Sequence, residues 1–398
     1  MTKRLLLFCC PFILLTACAP SAPPGPEDHV FSGGRYFYVP EAFLEAFPPK
    51  NYQLFSTASG WDNMEEIEAD KVHGFDPQFQ GGGRGMRIPD GGGLYIADRR
   101  RQRVHILDSE TLEERDYINW GTRVVYQPDA VCFDKDGNVY VLDAFSGILQ
   151  IYVYTRENEY IKTIAADIGE MDLNTDCGIA VTDAGDIYIT SPSNHAESGG
   201  VYKVEPDGSV SAVIGQGLFG RLCKSADGLG VIFVNTSFPV EPGDTAVSSD
   251  GVTALYRIEG GEIVDMAVFY PNFRIPSIPG GAVPPSVFFD ITTRQGVVDI
   301  ACYNGEYYVL TEMNVIVVFD ADLRYVRTIR IKNGYWDDPE PLISHVEREK
   351  FSAGYLFCMD IDGKGDIYII AFSDGYHMWG EQPERNLELR VYRRGGDE

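Results

Sequence analysis

Histidine is scarce in this chain, and the usual nucleophile and zinc motifs are missing. Six histidines occur in 398 residues, which leaves little material for imidazole relays. No Cys-x-x-Cys pair is present, so a zinc ribbon is excluded. No Gly-x-Ser-x-Gly elbow is present, which removes the hydrolase arrangement built on that turn. Basic residues are outnumbered, 33 Lys plus Arg against 59 Asp plus Glu, for a net charge of −26. Such a field repels nucleic acid and anionic lipid surfaces, so no nucleic-acid partner is expected. Long apolar runs are also missing. The run from Leu5 to Leu15 is eleven residues, too short to span a bilayer. The body is nevertheless 44% hydrophobic and 12% aromatic, a composition that folds around a core.

The short apolar run has a clear purpose. Lys3 and Arg4 precede it and Leu15-Thr16-Ala17-Cys18 ends it. This resembles the lipobox of bacterial lipoproteins, in which a peptidase cuts before a cysteine whose thiol is diacylated. The resemblance implies a signal peptide over 1–17, lipidation at Cys18 and a place on the extracytoplasmic side of a bacterial envelope. Two or three acyl chains, at about 0.8 kcal/mol per buried CH₂, give stable anchoring. Residues 18–30 then form a tether. Ala19 to Asp28 holds four prolines in ten residues and is extended, reaching about 30 Å at about 3.1 Å per residue.

The rest of the chain is repetitive. The segments Leu94–Asp98, Val139–Asp143, Ile187–Ser191, Ile232–Asn235, Tyr307–Thr311 and Ile367–Ala371 each read as an apolar strand with an aromatic near its centre. Turns containing Asp, Asn and Gly precede most of them, as in Asp134-Lys135-Asp136-Gly137 and Asp362-Gly363-Lys364-Gly365. Tight hairpins need positive φ and local side-chain hydrogen bonds, which these residues supply. Such a unit cannot bury both faces alone, so repetition at about 45 residues means a propeller or related array. The expected fold is all-β, a six-bladed β-propeller of four-stranded antiparallel blades over 84–398. A strand from the N-terminal segment 31–83 closes the ring, with Tyr36–Val39 and Tyr52–Phe55 as candidates. Asp360-Ile361-Asp362-Gly363-Lys364-Gly365-Asp366 has a calcium-like cadence but lacks the terminal Glu of an EF-hand loop; it reads as a hairpin.

Asp98-Arg99-Arg100-Arg101-Gln102-Arg103-Val104-His105-Ile106-Leu107-Asp108 resembles the NHL repeat, in which an Asp precedes an Asn-x-Arg-Val turn. Ile151–Tyr154 with Ile161–Ile164 resembles the last two strands of the same repeat. The likeness implies a propeller of NHL type and a structural role for Arg103. Arg101 and Ser146 depart from the repeat's Asn, and Thr311 and Ala371 from its Asp.

Five cysteines follow Cys18: Cys132, Cys177, Cys223, Cys302 and Cys358. The number is odd, so at least one is free. Four of them fall in first strands and read as small buried hydrophobes.

Spacing between the strand aromatics is 45, 48, 45, 75 and 60 residues, so extra length collects in loops of the later repeats. Insertions of this kind gather over one face and point to a binding site. The single basic run, Arg99, Arg100 and Arg101, falls in a loop on that face, suited to a carboxylate or phosphate. Trp120, Tyr126, Tyr335, Trp336, His377 and Trp379 join it, a combination that suits sugar or peptide ligands. Propeller lyases that bind zinc through histidine suggest an alternative metal centre at His195, His345 and His377. Sugar lactonases of this shape use Glu, Asn and Asp, for which Asp143, Asn235 and Glu312 are the candidates. No cofactor is expected apart from that divalent metal. The reading is a membrane-anchored binding or interaction module for a peptide, glycan or envelope protein. The alternatives are a metal-dependent lyase or lactonase at the central pocket, and an accessory subunit of an envelope or transporter complex.

Overall fold

Each repeat becomes a sheet whose middle strands are apolar on both faces, because every sheet is sandwiched between two neighbours. The computed structural model describes residues 51–56, 64–75, 85–89, 91–118, 127–145, 148–167, 177–191, 200–214, 219–225, 228–235, 252–270, 297–311, 315–332, 356–372 and 387–393. Three short strands lead the chain: β1 (Asn51–Ser56), β2 (Met64–Glu68) and β3 (Lys71–Gly74). The first sheet is β4 (Met86–Arg87), β5 (Leu94–Asp98), β6 (Arg103–Leu107) and β7 (Glu114–Ile118). The second is β8 (Pro128–Phe133), β9 (Val139–Phe145), β10 (Ile148–Tyr154) and β11 (Tyr160–Ala166). The third is β12 (Gly178–Val181), β13 (Ile187–Ser191), β14 (Gly200–Val204) and β15 (Val210–Ile214).

The fourth sheet holds β16 (Phe219–Lys224), β17 (Leu229–Asn235), β18 (Val252–Glu259) and β19 (Glu262–Tyr270). The fifth holds β20 (Val297–Tyr303), β21 (Glu306–Thr311), β22 (Val315–Phe319) and β23 (Tyr325–Lys332). The last holds β24 (Leu356–Ile361), β25 (Ile367–Phe372) and β26 (Leu387–Tyr392). Among the described residues the strands thus form six sheets. First strands of successive sheets pack side by side, β8 on β12, β12 on β16, β16 on β20, β20 on β24, and β24 returns to β4. This is an all-β propeller of four-stranded antiparallel blades.

The burial gradient follows the order of strands. All of β5 is buried, whereas β7, at the outer edge, reads four exposed residues before Ile118. The core is divided among the gaps between sheets. Leu142, Ile151, Ile179 and Ile189 fill the gap between the second and third, and Leu310, Val318, Met359 and Ile369 that between the fifth and last. Turns follow their chemistry. The Asp134 Oδ1 accepts from the Asp136 and Asn138 amides, and Gly137 takes φ +84°. Asp362 does the same for Lys364 and Asp366, with Gly365 at φ +88°. Oδ2 of each aspartate also accepts from the tyrosine second in the next strand, Tyr140 or Tyr368. The calcium-like cadence is therefore hairpin architecture.

One expectation needs correction. Tyr52–Phe55 does not complete the last sheet. Tyr36–Val39 lies outside the described residues, and Tyr52–Phe55 belongs to β1, which pairs in parallel with β19 as a fifth strand of the fourth sheet. β2 likewise pairs in parallel with β23 of the fifth. Closure falls to β3, antiparallel to β26, with Asp70 N donating to Val391 O and Phe75 N to Leu387 O. The reason is order along the chain. The leader advances one sheet per strand, so the strand nearest the first repeat reaches the last sheet. Lys71 Nζ donates to Glu110 O, and Arg393 pairs with Asp70 at 3.0 Å. Among the described residues no helix is long and apolar enough to cross a membrane.

Candidate functional site

Small residues let the first strands approach at the axis. A Cβ at Gly85 would overlap the Ala130 Cα of the adjacent first strand. Three first-strand cysteines, Cys132, Cys223 and Cys358, are buried and free. Their thiols are all pushed up by burial, so they act as small apolar groups rather than nucleophiles. Cys302, also free, is pushed up to about 11 by burial.

Into this narrow space β4 sends Arg87, 16% exposed at its side chain. Its Nη1 donates to Met86 O at 2.8 Å and to Met359 O of the last sheet at 3.3 Å. Its Nη2 donates to Leu222 O of the fourth sheet at 3.2 Å. Asp299 of the fifth sheet stands 3.8 Å from Nη1 and has no exposed side-chain surface. Asp299 accepts from its neighbour Ile300 N through Oδ1 and from Met359 N through Oδ2, each at 2.9 Å. Asp360 on β24 accepts from Ile88 N at 2.7 Å. A second guanidinium, on Arg221, donates to Val298 O at 3.2 Å. One cation thus ties four sheets at their common centre.

Electrostatics bear this out. Burial works against the charge on Arg87, but the facing carboxylates of Asp299 and Asp360 hold its pKa above the ordinary arginine value. Burial pushes Asp360 up to about 6, against the pull of Arg87 and of the Ile88 and Ile361 amides. The two carboxylates do not fit a divalent cation: the Arg87 charge stands among them, and each already accepts backbone N–H groups. Among the described residues no group of three or more His, Cys, Asp or Glu side chains is placed to hold a metal ion.

The basic run has a split fate. Arg99 forms an ion pair with Asp129 of β8, whose side chain is fully buried, and so links the first and second sheets. Arg100 is exposed and Arg101 half-buried; their amides donate to Asp98 Oδ1 at 3.0 and 3.1 Å, which fixes the turn between β5 and β6. The Oδ2 of Asp98 faces His105 Nε2 at 3.2 Å, and Glu114 holds Nδ1 at 2.8 Å. Arg103 lies over the Tyr117 ring at 5.0 Å, a structural contact. Asp143, a lactonase candidate, accepts from Gln127 N at 3.0 Å. Asn235 ends β17. Cys18, Trp120, Tyr126, Tyr335, Trp336, His377, Trp379, His195, His345 and Glu312 lie outside the described residues.

Sequence reading missed the axial cluster. Its signal was a charged residue within otherwise small and apolar first strands: Met86-Arg87-Ile88, Val298-Asp299-Ile300 and Met359-Asp360-Ile361.

No family model matches the chain. A search of curated proteins gives no match either. Solved structures are similar to it in shape. A luciferin-regenerating enzyme superposes with a TM-score of 0.49 at 10% identity, covering 82% of this chain and 96% of its own. Regucalcin, a calcium-binding protein from Agrobacterium tumefaciens, gives 0.47 at 13% identity over 83% and 97%. Virginiamycin B lyase from Staphylococcus aureus gives 0.45 at 13% over 81% and 98%.

Proposed function

We propose that this protein is a lipid-anchored module of the bacterial envelope, on the extracytoplasmic side, that binds a peptide, glycan or partner protein. Its body is a ring of six NHL-like blades, and Cys18 carries the anchor. The observation that supports this reading best is the occupied axis. Arg87 bonds the centre of the ring to itself through Leu222 O, Met359 O and Asp299. A centre bonded in this way stiffens a scaffold and leaves recognition to the ends of the strands. The exposed Arg100 stands at one such end, and the loop aromatics Trp120, Tyr335 and Trp336 complete the proposed face. A net charge of −26 suits a cationic or neutral partner and disfavours nucleic acid.

A metal-dependent lyase or lactonase at the central pocket is the alternative reading, and the Arg87 charge between Asp299 and Asp360 speaks against it. Metal analysis of the purified protein separates the two. The binding reading expects an acylated Cys18 at the mature N-terminus by mass spectrometry. It also expects a partner retained from detergent-solubilised membranes that Arg100→Ala loses and Asp136→Ala keeps. A stoichiometric divalent metal overturns it, as does an unmodified N-terminus beyond Cys18.

A further inference from the structure

The leader strands follow a rule. β1 lies parallel to β19 on the fourth sheet, β2 parallel to β23 on the fifth, and β3 completes the last. Read backwards, the preceding strand of the leader falls on the third sheet, whose outer strand is β15. The edges of the propeller differ in how they are protected. An open edge is normally blunted by charge, because its unpaired N–H and C=O groups invite another strand. β7 carries Glu114, Arg115 and Asp116, and β11 carries Lys162. β15 is Val210-Ser211-Ala212-Val213-Ile214, with no charge at all. Its Ser211 and Ala212 are exposed and small, which leaves room for large side chains opposite.

We propose that the edge of β15 is the docking site for Tyr36-Phe37-Tyr38-Val39 of this same chain, added as a parallel fifth strand. The segment is made of aromatic and β-branched residues, which favour a sheet. The connection has the length required. From β1 to β2 the chain returns along one strand and moves over one sheet in seven residues, 57–63, about 23 Å at full extension. Residues 40–50 supply eleven, about 36 Å. The leader then clasps the outer rim from the third sheet to the last, and the chain between Cys18 and the first docked strand is residues 19–35.

The test is amide exchange on the full chain in detergent, comparing β15 with β7 as an open edge and β19 as a covered one. Residues 210–214 are expected to exchange like 262–270, at least about tenfold slower than 114–118. Phe37→Pro removes a ladder donor, and should speed exchange at 210–214 while leaving 262–270 unchanged. Exchange at 210–214 as fast as at 114–118 in the unaltered chain overturns the proposal. So does protection that survives Phe37→Pro, or that rises with protein concentration, which would mark a second copy as the occupant.

Discussion

Arg87 of the first sheet donates to the main-chain carbonyl of Leu222, three sheets further round, at 3.2 Å. A side chain reaching that far is possible only because the first strands are lined with Gly, Ala and Cys. The guanidinium has five donors in a fixed fork and suits several acceptors at once.

Arg87→Met should therefore destabilise the fold by about 3–5 kcal/mol at pH 7, because the buried Asp299 and the half-buried Asp360 lose their shared cation. Arg87→Lys should recover little of this, since an ammonium is a single point charge. Chemical denaturation measures both. A loss under about 1 kcal/mol for Arg87→Met would show that water reaches the axis and solvates the acids.

Asp360 gives the cluster a pH dependence. Its pKa in the fold is about 6, against about 3.9 for an unfolded aspartate. Between those values the folded state keeps a proton that the unfolded chain has released. The group's contribution to stability is thus full below about pH 4 and is lost as pH rises through about 6. Near 1.4 kcal/mol per unit this amounts to about 3 kcal/mol. Asp360→Asn removes the ionisation, so the variant should gain on the unaltered protein by about that much from pH 4 to pH 7. Parallel stability curves across that window would contradict the assignment.

Arg99 and Arg100 are neighbours with different work. Arg99→Ala strands the fully buried Asp129 and should cost about 3–5 kcal/mol. Arg100→Ala, at an exposed position, should stay within about 0.5 kcal/mol. Thermal unfolding of the two variants decides it. Equal, small effects would mean that Arg99 is a surface group like its neighbour, and would return it to the proposed ligand face.

Deleting residues 19–75 takes away β3 and leaves β26 as an open edge. Amide exchange across Leu387–Tyr392 should rise to the level of an edge strand, and the melting temperature should fall by roughly 5 °C or more. A truncated protein with unchanged exchange at β26 would show that the last sheet does not depend on its N-terminal partner.

The repeated strand with its aromatic, and the Asp and Gly turns, are local signals, and they were sufficient for the propeller and its four-stranded antiparallel sheets. Continuous apolar strands, turn chemistry and the inability of one unit to bury both faces act over a few residues. Which leader strand closes the ring was not legible. Tyr52–Phe55 and Lys71–Gly74 are both compatible with a strand, and only the order in which the leader passes the sheets sends the first to β19 and the second to β26. The role of Arg99 was hidden for a similar reason, because its partner Asp129 comes from another sheet. Arg87, Asp299 and Asp360 are hundreds of residues apart at the extremes, and each reads alone as an interruption of an apolar strand. Their meeting at the axis is a product of ring closure. The sequence by itself determined the unit and its repetition, since those rest on local geometry. Which charges face one another in the interior was decided by the tertiary structure, since burial and Coulomb attraction depend on distances that the chain acquires only when the first and last sheets meet.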